Sequence, residues 1–254
     1  MTKNTLHESA SSPQRANPIA FGYVTNGFLG HRLDDIIAIL AHYGYNGIAI
    51  SLDVHHANPF EWDTAHYRQL GRLLNEKKMR VVLETGARYL LDPYRKHYPT
   101  LVSPDQRERR IAFLKQTIDL ATVVPAEAVT FFTGRPEPTT SPDEAWRWVI
   151  DGCAEVCRYA EEQGVTLALE PEPEMTVETI ADFLRVRQAV DSPALGVTVD
   201  ICHLHCSEPD SIGEAIKRAG SYIRNIHLSD ARNRVHDHLL PGDGVVDFTE
   251  AFQA

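Results

Sequence analysis

The chain predicts an α/β fold of the (β/α)8 TIM-barrel class, read as stopping after the seventh strand and the start of the seventh helix. Three observations predict it. Short apolar runs alternate with longer amphipathic segments along almost the whole sequence. The runs show no apolar/polar alternation of their own, and such strands separated by helices form a parallel sheet covered on both faces. Finally, Glu170, Asp200 and His227 each close one of these runs, 30 and then 27 residues apart, which is the period of a repeating strand–helix unit. An open doubly wound sheet would carry a phosphate-binding turn after its first strand. The turn here, VTNGFLGHRLDD, does not complete the G-x-G-x-x-G pattern.

The strands are expected at 19–25, 46–52, 79–85, 127–133, 165–170, 195–200 and 222–228. Between them, Leu33, Ile36, Ile37 and Leu40 recur at helical spacing in 32–43, and Ile111, Leu114, Ile118 and Ala121 do so in 104–121. The segment 142–163 opens on Ser141-Pro142-Asp143-Glu144, an N-cap, a proline at the first helical position and acids in the first turn. Gly44 and Gly164 stand where helices should end. The run from Asp247 to Ala254 reads as the first two turns of the seventh helix. Residues 1–18, polar and Ser-rich, are expected to form a flexible N-terminal arm, and 19–254 a single barrel domain lacking its eighth strand. Open edges on the first and seventh strands would invite pairing, so a homo-oligomer is one expectation.

Composition narrows the function. With 43% hydrophobic and 24% charged residues the chain is of ordinary globular type. It has neither a membrane-length apolar stretch nor a secretory h-region, so a cytoplasmic location is expected. A net charge of -10 disfavours nucleic acid and favours a small-molecule ligand. Of the four cysteines, Cys153 and Cys157 read as buried small apolar residues on a helix. Cys202 and Cys206 flank His203 and His205 without the Cys-x2-Cys spacing or second ligand pair of a zinc knuckle.

In a parallel barrel the C-terminal strand ends converge on one mouth, so Glu170, Asp200 and His227 are candidate ligands of one divalent cation. Glu170 lies in Glu170-Pro171-Glu172-Pro173-Glu174, and crowded acids at a strand end ask for a neutralising cation. Glu170 is the foremost candidate base, Glu172 the next. His203, three residues past Asp200, can turn back into the same space; the plainer reading is a helix N-cap Asp with an incidental His. A lone His in an apolar strand is more often a hydrogen-bonded core residue, but His227 matches the positions of Glu170 and Asp200. His236 and His238 follow in an extended loop, where alternate residues face one way, and are candidate further ligands. His55, His56, Glu84, Arg88 and Arg135 follow the second, third and fourth strands and are candidate substrate-binding residues, the two arginines as clamps for a phosphate or carboxylate. For each of these five, an ordinary loop polar residue is the competing account.

The combination of Glu170, Asp200-x2-His203, His227-x2-Asp230 and His236-x-His238-x2-Pro241-Gly242-x-Gly244-x2-Asp247-Phe248 resembles the xylose-isomerase-like TIM-barrel superfamily. That superfamily includes sugar and sugar-phosphate isomerases and epimerases, inosose-type isomerases and dehydratases, and zinc-dependent AP endonucleases. The resemblance implies a metal held by Glu170, Asp200, His227 and a Glu on an eighth strand, which would also perform half of the proton transfer. It implies a metal-dependent isomerase or epimerase of a sugar, sugar phosphate or polyol, working through an enediolate on a small carbohydrate substrate. A mixed oxygen and nitrogen ligand set suits Mn2+, Co2+ or Mg2+, and extra imidazoles favour Zn2+. His203, His236 and His238 are similar to the third-metal set of the endonuclease branch, so a multi-zinc phosphodiesterase is the rival reading. A metabolite-binding barrel without turnover is the third.

Overall fold

The computed structural model describes residues 19–254; the expected arm at 1–18 lies outside them. Seven strands form one parallel sheet in sequence order: β1 (Gly22–Val24), β2 (Gly47–Ser51), β3 (Arg80–Glu84), β4 (Ala128–Phe131), β5 (Leu167–Leu169), β6 (Leu195–Asp200) and β7 (Ile223–His227). All six pairings are parallel. Every strand falls inside the span expected of it. The intervening helices are α1 (Leu33–His42), α2 (Thr64–Glu76), α3 (Arg107–Val123), α4 (Pro142–Gln163), α5 (Ile180–Val190), α6 (Ile201–Ser207) and α7 (Ile212–Ala219), with α8 (Phe248–Gln253) near the C-terminus. A two-stranded antiparallel hairpin, β8 (Asp230–Arg232) and β9 (Val235–Leu239), stands where a single extended loop was expected.

The sheet is curled. In a flat sheet, strands β3 and β7 would be four spacings, roughly 19 Å, apart. Yet Glu84 Oε1 at the end of β3 lies 3.1 Å from His227 Nε2 at the end of β7. Strands β2 and β4 to β6 are covered by the helix ring on one side and by their own barrel interior on the other, so their residues are almost all buried. The outer core joins Ile36, Ile37 and Leu40 of α1 to Leu74 of α2, Ile118 of α3, Val149 and Val156 of α4, and Phe183 of α5. A fully buried side chain such as Phe183 contributes roughly 1.5–3 kcal/mol through its removal from water. Strands β1 and β7 are less covered, and Phe21, Tyr23, Ile226 and Leu228 remain exposed.

Local signals end the helices where the sequence says they should. Ser141 Oγ accepts the Glu144 N–H at 3.3 Å, Pro142 opens α4, and Gly164 closes it in the left-handed conformation at φ +67. Helix α5 begins with a reciprocal capping box between Thr179 and Asp182. The Cys153, Cys157, Cys202 and Cys206 thiols are all free, and burial pushes the Cys202 and Cys157 thiols up to about 12, in keeping with inert, reduced cysteines. Among the described residues no helix is long and apolar enough to cross a membrane.

Candidate metal and substrate site

The ends of β3, β5, β6 and β7 bring four titratable side chains to one point. His227 stands at the centre, its Nδ1 at 2.9 Å from Glu170 Oε1 and its Nε2 at 3.1 Å from Glu84 Oε1. Asp200 Oδ2 lies 3.8 Å from His227 Nδ1 and 3.8 Å from His203 Nε2. The sequence offered two readings of Asp200, a helix cap or a ligand, and its two oxygens divide them. Oδ1 accepts the backbone N–H of Cys202 at 2.7 Å and of His203 at 3.2 Å, capping α6, while Oδ2 faces the imidazoles. The first turn of α6 then returns His203 to the site. Its Nδ1 donates to the Pro171 carbonyl at 3.0 Å, so Nε2 carries the lone pair. That Nε2 is buried and has no hydrogen-bond partner.

Electrostatics follow from this crowding. Burial opposes charge on both His227 and Glu84. Glu170 and Glu84 outweigh it for the imidazole and raise its pKa well above the usual value, and His227 with Thr130 holds the Glu84 carboxyl below the usual carboxylate range. Glu172 stands one step further out. Burial, with the Glu170 charge added, pushes its carboxyl up to about 7. Four carboxyl groups, Glu84, Glu170, Glu172 and Asp200, thus share this end of the barrel with the His227 imidazole. The donor set fits a divalent cation: carboxylate oxygens and imidazole nitrogens meet, one buried imidazole nitrogen is unpartnered, and Glu170, Asp200 and His203 each offer a ligand atom within 4.8 Å of the others.

A second cluster abuts the first. Hairpin β8–β9 carries His236 and His238 on one side, as alternation predicts, with Nε2 atoms 2.6 Å apart. Their ring centroids lie 4.6 and 5.3 Å from that of His203, and the three imidazoles form a further group within 4.8 Å. Burial pushes the His236 imidazole down to about 4, and also lowers His238. Asp230 positions this hairpin. It accepts the backbone N–H groups of Ala231, Gly242, Gly244 and Val246 at 2.8–3.0 Å, which hold its carboxyl down at about 2 against its burial. A Cβ at Gly244 would lie 2.3 Å from Asp230 Oδ1, and Gly242 sits at φ +100, so the Pro-Gly-x-Gly run is the turn that wraps this carboxylate.

The five expected substrate-binding residues separate. Glu84 joins the cluster directly. Arg88 is half-buried at the same end, its Nη2 donating to the Asn26 carbonyl at 3.4 Å. His56 is buried and its Nε2 meets the His31 carbonyl at 2.9 Å, a contact that ties two loops together. His55 is exposed. Arg135 is 69% exposed and pairs with Glu174 at 2.9 Å, an arrangement open to solvent. Sequence reasoning missed Thr130, whose hydroxyl donates to Glu84, and Ser229, 2.9 Å from His238 Nδ1 and 3.5 Å from Asp200. Strand parity marks Thr130: it pairs in register with Glu84, so both face inward.

Known proteins resemble this chain over most of its length. The chain is 25% identical over 213 residues to fructoselysine 3-epimerase of Shigella flexneri, covering 82% of this chain and 74% of that one. Among solved structures, a D-tagatose 3-epimerase-like protein superposes with a TM-score of 0.76 at 20% identity, over 92% of this chain and 85% of its own. The IOLI protein, whose structure has a bound zinc atom, superposes with a TM-score of 0.75 at 17% identity, over 92% and 84%. The sequence model of the family described as xylose isomerase-like TIM barrel matches residues 37–254. With seven parallel strands curled around that cluster and a match over most of its length, the chain belongs to the xylose isomerase-like TIM barrel family.

Proposed function

We propose that the protein is a metal-dependent isomerase or epimerase of a sugar, sugar phosphate or related polyol, working through an enediolate. One observation carries the reading: Glu170, Asp200 and His227, from the ends of three different strands, come together, with His227 Nδ1 2.9 Å from Glu170 and 3.8 Å from Asp200. The relative named as a fructoselysine 3-epimerase and the tagatose-epimerase-like fold support a carbohydrate substrate. The residues that would hold the cation are Glu170, Asp200 and His227, with His203 as the further ligand; Mn2+, Co2+, Mg2+ and Zn2+ all suit this oxygen and nitrogen set. When bound, a divalent cation supplies positive charge opposite the oxygen on which the enediolate charge develops.

The chain's own groups do the rest. A carboxylate takes the proton from the carbon beside the carbonyl, and Glu170 is the best placed, with Glu172 beside it. A carboxyl held near neutrality by burial can both accept and return a proton at physiological pH, which suits Glu172 to the second half of such a transfer. His203, its ring orientation set by Pro171, presents a nitrogen lone pair to a substrate hydroxyl when it is not a ligand. Glu84 orients His227 from across the barrel, and outer partners of this type hold a ligand's tautomer and direction. The test is turnover of a ketohexose panel with each of the four metals. Glu170→Gln should lower turnover by about 10³-fold, within the range of general acid–base contributions; unchanged turnover sinks the reading.

The His203, His236 and His238 group favours a second reading, a site with more than one metal and phosphodiesterase chemistry of the AP-endonuclease type. The net charge of -10 weighs against a nucleic-acid substrate. Metal content per chain after saturation with Zn2+ separates the two: one ion for the isomerase, two or three for the rival. A barrel that binds a metabolite without turnover would bind ketoses and leave them unchanged.

A further inference from the structure

The long connection from β3 to α3 holds a histidine that the proposed chemistry does not use. His97 adopts a left-handed backbone at φ +63, a conformation that costs a non-glycine residue energy and persists only where neighbours enforce it. Arg110 enforces it. This arginine is buried, and its guanidinium donates to the carbonyls of Pro99, Thr85 and His97 at 2.7, 2.8 and 2.9 Å. The His97 N–H donates in turn to the Arg88 carbonyl at 2.5 Å. The ring is fixed as well. Nδ1 lies 2.7 Å from the Gly86 carbonyl, which can only accept, so Nδ1 carries the proton and Nε2 presents its lone pair. Among the described residues Nε2 has no partner.

Two contacts place the ring. Glu84 and Thr130 face the barrel interior at the ends of β3 and β4, and Gly86 and Phe132 follow two residues on, just past those ends. A Cβ at Gly86 would lie 3.9 Å from His97 Cε1, and the His97 ring packs edge-on against Phe132 with centroids 5.6 Å apart. The imidazole therefore stands beside the ends of β3 and β4, at the end of the barrel that holds Glu84. Burial, with the charges of Lys96, Arg110 and Arg88, lowers its pKa, in keeping with a neutral ring.

We infer that His97 is a substrate-binding residue whose Nε2 accepts a hydrogen bond from a hydroxyl of the sugar chain, away from the carbons that face Glu170. This rests on the carbohydrate reading of the site and adds to it a demand for a donor hydroxyl at that end of the substrate. Arg110 acts through His97 and is a positioning residue.

The test is isothermal titration calorimetry on the full chain loaded with Mn2+, using D-fructose, D-tagatose and D-psicose and their analogues lacking single hydroxyls at carbons 4, 5 or 6. The informative variant is His97→Asn. Asparagine tolerates the left-handed backbone and keeps a donor for Gly86, but has no atom at the Nε2 position. Affinity for the best ketose should fall about 10-fold, or ~1.4 kcal/mol, with an unchanged melting temperature. One of the deoxy analogues should bind wild type and variant equally. His97→Gln, which extends an acceptor oxygen toward the Nε2 position, should recover part of the loss. Equal affinity of wild type and His97→Asn for the complete sugars overturns the assignment alone, as does a loss that is the same for every deoxy analogue. If His97→Asn does not fold, a wild type indifferent to each deoxy substitution overturns it too. A wild type that binds none of the ketoses overturns the carbohydrate reading itself.

Discussion

The two halves of the barrel use polar residues in opposite ways. In the half from β5 to β7, every strand ends in a titratable side chain turned to one point, and the helix that follows β6 sends back another. In the half from β1 to β4, the polar residues mostly hold loops. Thr25 accepts the Ser51 N–H, His56 meets the His31 carbonyl, and Arg110 gathers three carbonyls of one connection. Glu84 is the exception, since it crosses the barrel to His227. One half thus supplies ligands and the other supplies walls, and a ligand can be read from sequence more readily than a wall.

The sharpest way to break that division is at Arg110. If the front half is scaffold, Arg110→Met should lower stability by about 3 kcal/mol, since it leaves three carbonyls without donors at about 1 kcal/mol each. Among the described residues no carboxylate pairs with the guanidinium, and burial pushes its pKa down to about 9; the carbonyls it pins and the Phe113 and Phe132 rings beside it offset that cost. Urea unfolding measures the change. A variant as stable as wild type would mean that the connection holds itself, and that the walls are not built as argued.

This division also explains what could be read in advance. Strands β2 and β4 to β6 were legible because a strand buried on both faces is a nearly unbroken apolar run, as in VTLAL before Glu170, and the less covered β1, β3 and β7 were legible from the repeat of strand and helix. The cluster of Glu170, Asp200 and His227 was legible because each ends such a run. His97 was not, because nothing in RKHYP distinguishes a histidine at the Glu84 end of the barrel from any loop histidine. Its placement depends on Arg110, thirteen residues on, and on Phe132 just past the next strand. His56 meets the His31 carbonyl and Arg135 pairs with Glu174, contacts that sequence proximity to a strand end does not give. The hairpin β8–β9 was read as a loop because its order comes from Asp230 collecting four N–H groups, a contact between distant positions rather than a local propensity.

Glu84 sharpens the comparison from the other side, as a front-half residue tied to the back. It is not among the expected ligands, yet it fixes His227. Glu84→Gln should weaken Mn2+ binding by about 10- to 100-fold, the usual effect of removing a partner that orients a ligand, while leaving the fold intact. Calorimetric titration of the cation gives the number directly. An unchanged affinity would return Glu84 to the wall, and a complete loss of binding would make it a ligand.

The smallest effect is expected at Arg135, where the two accounts of a mouth-side arginine differ most plainly. A clamp for an anionic substrate should be free to bind; this guanidinium is 69% exposed and already paired with a Glu174 that is itself 69% exposed. Two flexible, solvated side chains gain little from such a pair, because water screens their attraction and ordering them costs side-chain entropy. Arg135→Ala should therefore change stability by less than about 0.5 kcal/mol and leave the KM for any ketose that the protein turns over unchanged. If KM rises only for phosphorylated sugars, Arg135 swings inward on binding and the front half takes part in recognition through a cation as well as through His97. If it stays level for all of them, the exposed pair with Glu174 is its whole role, and the distinction between ligand half and wall half holds at this loop.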